Sequence, residues 1–250
     1  MKNLLLIAIT MFSFSLFFSC GEENFEPYEI DNSSQNLKLL PSEITKSFTD
    51  PSTGAISTSS YITLDYNSKN QLISIQETLT GGYKNTYNIA YDENTNNVTE
   101  VSVNSYKTGI AKYTYKYIDK ENILENVIIS GVNKTYTLTL NSKQQLISKN
   151  NPDTGTITYG YDAAGNLLTK NSDQNVYDKT KGWMSSVQTP NWLFNNFGEE
   201  FPGTFNLINN IITDWDGNTY SYIEFNPSKY PLKIIVNNNT EINIKYIYVK

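Results

Sequence analysis

Residues 156–170, TITYGYDAAGNLLTK, predict one β-hairpin. Tyr159 and Tyr161 alternate with small or polar residues, which is the two-residue period of a strand with one apolar face. Asp162 opens a four-residue turn, and Gly165 can take the positive φ that closes a type I turn. The leucines that follow begin the return strand.

The same unit recurs along the chain. Five further copies share an apolar or aromatic anchor, an apolar residue two positions earlier, and a polar turn after it; their anchors are Tyr66, Tyr91, Tyr117, Leu140 and Phe225. Strands and turns alternate without helical periodicity. The sequence therefore predicts an all-β fold, an antiparallel meander of repeated hairpins with about a dozen strands.

Residues 159–168, Tyr-Gly-Tyr-Asp-Ala-Ala-Gly-Asn-Leu-Leu, resemble the YD repeat of the RHS family. The other copies keep the polar turn but mostly lose the glycine, so the chain resembles a degenerate member over residues 37–250. The resemblance implies a small lipoprotein of unknown function, of a kind common in Bacteroidota. The toxin shell of large RHS proteins is not implied, because repeats are few and a cargo domain is lacking.

The first 19 residues predict a signal peptide, since Lys2 precedes an apolar run too short to favour a spanning helix. Cys20, the only cysteine, stands where the run ends. Residues 16–20, LFFSC, resemble a bacterial lipobox, although Phe17 replaces the usual aliphatic residue. We therefore expect lipidation at Cys20 and a membrane partner through that lipid; the alternative is a secreted protein with a free thiol.

Residues 20–36 are acidic and aperiodic, which predicts a lipid-anchored flexible tether. The pair Glu22-Glu23 resembles the acidic tract that directs Bacteroidota lipoproteins to the outer face of the outer membrane. The expected location is the outer membrane, at the cell surface or the periplasmic face.

Residues 37–250 are predicted to form a single β-repeat domain, and we expect a monomer.

An insertion at residues 171–210 breaks the repeat pattern and is rich in aromatic residues. Thr189 as cap, Pro190 in the first turn and Gly198 as the stop predict a short helix over NWLFNNFG. The favoured interpretation is a plug that covers an apolar sheet face. The alternative is a platform that stacks on sugar rings or apolar ligands, with three candidate binding residues: Trp183, Trp192 and Phe194.

Composition excludes several chemistries. The chain has no histidine, and every basic residue is a lysine. It therefore has no imidazole base and no His-ligated zinc, and it lacks the arginine fork that recognises phosphate or guanine. The net charge of −6 and the pI of about 4.8 disfavour nucleic acid as a partner. We expect no cofactor, no metal site and no catalytic residue.

Two weaker alternatives remain. Residues 214–218, DWDGN, superficially resemble a calcium loop, but the EF-hand spacing is not kept, and a hairpin turn is the favoured interpretation. A carboxylate-based glycoside hydrolase would need a pair such as Glu199, Glu200 or Asp214 facing one cleft.

Three functional classes follow in order of preference. The first is a non-enzymatic envelope lipoprotein that binds a glycan or a partner protein or acts structurally. The second is a carbohydrate-binding protein that uses the aromatic insertion. The third is the hydrolase.

Overall fold

The computed structural model describes residues 38–153, 155–198, 201 and 206–249. Residues from Leu37 to Lys250 form one compact unit. The predicted signal peptide, the lipidation residue Cys20 and the tether lie outside the described residues. Within the described ranges, no helix has the length and apolar character needed to cross a membrane.

The described chain contains 17 strands and one helix. The first nine strands are β1 Lys38–Thr49, β2 Ile56–Tyr66, β3 Leu72–Leu79, β4 Lys84–Tyr91, β5 Val98–Ser105, β6 Gly109–Tyr117, β7 Asn122–Ile129, β8 Val132–Leu140 and β9 Leu146–Asn151. The remaining elements are β10 Gly155–Tyr161, β11 Leu167–Lys170, β12 Asp173–Gln174, β13 Val176–Lys181, α1 Asn191–Phe197, β14 Asn209–Thr213, β15 Tyr220–Phe225, β16 Pro231–Val236 and β17 Thr240–Val249. The predicted all-β fold is confirmed.

Fifteen of these strands form one antiparallel sheet. The first twelve follow one another as a meander, and β17, β16 and β15 continue the sheet on the other side of β1. The last strand joins the first in register, with Ile44 opposite Ile244. Strands β13 and β14 form a separate pair, and α1 lies between them in the chain. The predicted meander is confirmed, but only the part of the insertion after β12 leaves the main sheet.

The hairpin that defines the repeat has the predicted turn. Asp162 Oδ1 accepts the backbone N–H groups of Gly165 and Asn166 at 2.8 and 2.9 Å, and Gly165 has φ of +97°. Other copies keep this backbone without glycine, since Asn70 and Gln144 also have positive φ at the same turn position. The turn geometry is therefore more regular than the sequence. Asparagine, as at position 70, tolerates the left-handed region better than most residues other than glycine.

Helix α1 forms where the short aromatic segment was predicted, but its start differs from the prediction. Pro190 occupies the cap position and no side chain caps the helix. Thr189 was wrongly predicted as the cap: its Oγ1 accepts the Leu72 N–H at 2.8 Å and lies 2.9 Å from Tyr91 Oη. Gly198 ends the helix as predicted, with its N–H donating to the Phe194 carbonyl.

The core lies between α1 and one face of the sheet. Strand alternation places Ile62 and Leu64 in the core, while Tyr61 and Asp65 are exposed. Trp192 of α1 meets the ring of Tyr115 edge-on, with centroids 5.1 Å apart. The helix thus covers part of the apolar face of the meander, and the space beside the helix holds the candidate site.

Candidate functional site

A cavity of about 280 Å³ lies beside α1, between β11, β13, β14 and the turn at residues 214–218. Most of its wall is aromatic or apolar, with a few amide and carboxylate groups. The lining residues that carry the argument below are Asn175, Tyr177, Phe194, Asn195, Trp215 and Tyr220. A concave, mainly apolar space with a few polar groups is the usual form of a small-molecule site.

Asp214 holds one side of the cavity in place. Its Oδ1 accepts the backbone N–H groups of Asp216 and Asn218 at 3.0 and 2.9 Å. Its Oδ2 accepts Asn218 Nδ2 at 2.9 Å and Tyr220 Oη at 2.7 Å. The carboxylate is used to close its own turn, which fixes Trp215 near the apex. This is the predicted hairpin turn, and it uses the carboxylate oxygens that a calcium ion would need.

The opposite side is held by hydrogen bonds to β11 and β13. Asn175 Oδ1 accepts the backbone N–H of Trp215 at 3.0 Å. The Nδ2 of Asn175 donates to the Leu167 carbonyl at 2.9 Å. Tyr177 Oη also donates to the Leu167 carbonyl, at 2.9 Å. Burial raises the pKa of the Tyr177 phenol well above its ordinary value. The phenol therefore stays neutral and acts as a structural donor.

Asn195 presents an available acceptor to the cavity. Its Nδ2 donates to Tyr161 Oη at 2.9 Å, whereas no described residue donates to its Oδ1. Burial raises the pKa of Tyr161 to about 12, so this phenol is also neutral at physiological pH. The side-chain amide of Asn195 thus donates to the sheet through Tyr161, while its Oδ1 has no donor among the described residues.

Charge at the cavity is mixed. Asp214 and Asp216 line it, and no lysine does among the residues that the structure describes. Lys170 nevertheless lies close by, with Nζ 5.2 Å from the centroid of the Trp215 ring. A cation over an indole face is favourable. The ring of Trp215 therefore already has a cationic neighbour.

The three predicted binding residues are all buried. Trp192 is 2% exposed, and Trp183 and Phe194 are each 4% exposed. Trp183 and Trp192 lie in the main core cluster and do not line the cavity, whereas Phe194 belongs to both. This burial agrees with the plug interpretation of the insertion. Glu199 and Glu200 lie outside the described residues.

Sequence reasoning missed Asn175, Tyr177, Asn195, Trp215 and Tyr220. A usable signal was present: residues 214–218, DWDGN, repeat the Asp-x-x-Gly-Asn turn of residues 162–166, DAAGN. The turn at residues 214–218 is therefore one more copy of the repeat turn, with Trp215 and Asp216 in place of the two alanines. Within the described ranges, His, Cys, Asp and Glu side chains form no group of three that could hold a metal ion.

Comparison with known proteins identifies the repeat. Residues 141–175 match the RHS Repeat family model, and this range contains the YD-like copy at 159–168. The chain is a degenerate RHS-repeat-like β protein, as its sequence resemblance predicts. No curated protein matches the sequence.

One similar solved structure is a porin-like protein from Bacteroides uniformis. The match has 9% identity, covers 83% of this chain and 98% of the other, and has a TM-score of 0.26. This likeness is too distant to support an inference about function.

Proposed function

We propose that this chain is a cell-envelope lipoprotein whose β-repeat domain is a non-enzymatic binding module. The observation that carries the binding role is the cavity beside α1, whose walls are fixed by the Asp214 and Asn175 hydrogen bonds. A concave, mainly apolar space with a few fixed polar groups is the usual form of a small-molecule site.

The anchoring role rests on the sequence. The apolar run of the first 19 residues ends at the only cysteine, and an acidic tether follows it. Lipid on Cys20 would attach the domain to the outer membrane, and the acidic pair after Cys20 favours the cell surface. The expected form is a monomer on a tether.

The absence of catalysis is part of the proposal. The chain has no histidine. Asp214 is the cavity carboxylate best placed for acid–base work, but its two oxygens accept four hydrogen bonds from its own turn and Tyr220. A general acid or nucleophile must instead be free to meet the substrate. The glycoside hydrolase alternative predicts release of reducing ends from a bound glycan, and we expect none.

Metabolic labelling with a fatty-acid analogue tests the anchor. The wild type should be labelled and recovered in the membrane fraction, and Cys20→Ala should be unlabelled. Ser19→Ala, which changes the neighbouring position and keeps the cysteine, serves as the matched control and should be labelled. An unlabelled wild type would exclude the anchor.

Tryptophan quenching tests whether the cavity admits solutes. The chain has three tryptophans, and Trp183 and Trp192 are buried. Neutral acrylamide should quench one emission component in the wild type, and this component should be absent from Trp215→Phe. Equal quenching of the two proteins would show that the cavity is closed, which contradicts the binding role.

A further inference from the structure

Two side chains of the cavity offer hydrogen-bond acceptors to a ligand. Asn195 Oδ1 has no donor among the described residues, and the exposed carboxylate of Asp216 likewise has none. The amide of Asn175 and the phenol of Tyr177 already donate to the Leu167 carbonyl. A ligand that carries hydrogen-bond donors, such as hydroxyl or ammonium groups, can therefore pair with both acceptors.

The apolar part of the wall selects the shape of the ligand. Phe194 and Trp215 both line the cavity and contribute aromatic surface to its wall. The volume of about 280 Å³ is slightly below the range of about 300–1,000 Å³ that is typical of drug-sized ligands. It suits one or two small rings that have an apolar face and donors around the edge.

The charged neighbours of the cavity favour a neutral ligand. Lys170 Nζ lies 5.2 Å from the Trp215 ring centroid, so a cationic ligand would compete with this ammonium for the same ring. An anionic ligand would meet the carboxylates of Asp214 and Asp216, which both line the cavity. A neutral ligand avoids both conflicts.

We propose that the cavity binds a neutral pyranose sugar. The C–H face of the ring packs against Trp215, and hydroxyls donate to Asn195 Oδ1 and to the Asp216 carboxylate. This inference rests on the proposed binding role and adds its ligand class and the residues that recognise it. The sequence assigned sugar binding to the tryptophans of the insertion, which are buried. The proposal assigns it to Trp215, in the turn that follows the insertion.

Titration calorimetry of the full chain with neutral pyranosides tests the proposal. The probes are the methyl glycosides of glucose, galactose, mannose and N-acetylglucosamine, with choline as the cationic comparison. We expect at least one glycoside to bind and choline not to bind. Trp215→Ala should weaken binding at least tenfold, while Trp215→Phe, which keeps an aromatic ring, should retain most of it.

Two further variants complete the test. Asn195→Leu should weaken glycoside binding at least tenfold, because it removes the acceptor at similar size. Tyr83→Ala, which removes an exposed aromatic residue remote in sequence from the cavity residues, should leave binding unchanged. Melting temperatures measured alongside show that each variant is folded.

The outcomes separate this proposal from the broader one. No binding by any glycoside, equal binding by Trp215→Ala, or binding of choline alone would overturn the sugar assignment. If acrylamide still reaches Trp215 in that case, the cavity remains a site for another ligand class. If acrylamide does not reach it, both proposals fail.

Discussion

Tyr161 at the end of β10 donates its phenol hydrogen to the carbonyl oxygen of Leu146 at the start of β9, 2.8 Å away. The same bond recurs in other hairpins: Tyr91 donates to the Leu72 carbonyl at 2.9 Å and Tyr246 to the Pro231 carbonyl at 2.8 Å. At Tyr161 and Tyr91, which each precede a turn aspartate, the phenol therefore links one strand to its neighbour beside the turn. This gives a physical reason for a tyrosine directly before the turn aspartate.

Loss of that hydroxyl should destabilise the domain. In Tyr161→Phe the buried Leu146 carbonyl loses its donor, which costs about 1–3 kcal/mol. Tyr248→Phe is the control, because Tyr248 is 68% exposed, and it should change stability by less than about 0.5 kcal/mol. Urea denaturation measures both variants. Equal stability of the two would show that the phenol bond contributes nothing.

The turn after Tyr161 depends on a left-handed residue. Gly165→Val should cost about 1–2 kcal/mol, because a β-branched residue is strained at φ of +97°. Gly165→Asn should cost less, although its Cβ would lie 3.1 Å from atoms of Gln145 and Ile208. Gly217→Asn is the matched control, since the equivalent Cβ meets nothing within 4 Å. Equal melting temperatures for the Val and Asn variants at 165 would contradict the assigned turn.

Glu125 is a completely buried carboxylate that connects α1 to the sheet. Its side chain forms a salt bridge with Lys149 at 2.8 Å and accepts Asn196 Nδ2 of α1 at 2.6 Å. Removing one partner of a buried pair leaves an uncompensated charge, which costs about 3–5 kcal/mol. Lys149→Met should therefore be strongly destabilising in chemical denaturation.

The double variant Glu125→Gln with Lys149→Met should recover much of that loss, because neither charge remains. Lys134→Met is the exposed control, since its pair with Asp153 is open to water and should contribute about 0–1 kcal/mol. A loss in the double variant that equals the sum of both single losses would show that the two groups do not interact.

The aspartates in the turns should make the stability of the folded domain depend on pH. Burial alone would raise the pKa of Asp162, but hydrogen bonds from Asn166 and Gly165 outweigh it, so the pKa lies below its ordinary value. A pKa lowered in the folded state adds stability above the unfolded value of about 4, and this stability is lost as pH falls through the folded value.

Asp162→Asn should therefore reduce the fall in melting temperature between about pH 5 and pH 2. The turn should survive, because Asn141 fills the same position in another copy and accepts the Gln145 N–H at 3.0 Å. Asp65→Asn, which removes a carboxylate at an exposed strand position outside a turn, is the control. An unchanged profile for Asp162→Asn would contradict the role of this carboxylate.

Local patterns predicted the fold better than the site. The strand period and the Asp162 turn are set by neighbours in sequence, so the hairpins and the positive φ of Gly165 could be predicted. The cavity could not, because Leu167, Asn195 and Trp215 meet only after β13 and β14 leave the main sheet. Thr189 shows the same limit: its hydroxyl was assigned to a local cap but bonds to Leu72, which is distant in sequence.

The central claim is that the aromatic insertion packs the sheet and leaves ligand binding to the cavity beside it. Equilibrium unfolding of Trp192→Ala tests this claim most directly, with exposed Tyr248→Ala as the control. We predict a loss of about 3–5 kcal/mol for Trp192→Ala, since the ring is 2% exposed and packs on Tyr115. Unaltered stability of Trp192→Ala, together with iodide quenching of Trp192 in the wild type, would contradict it.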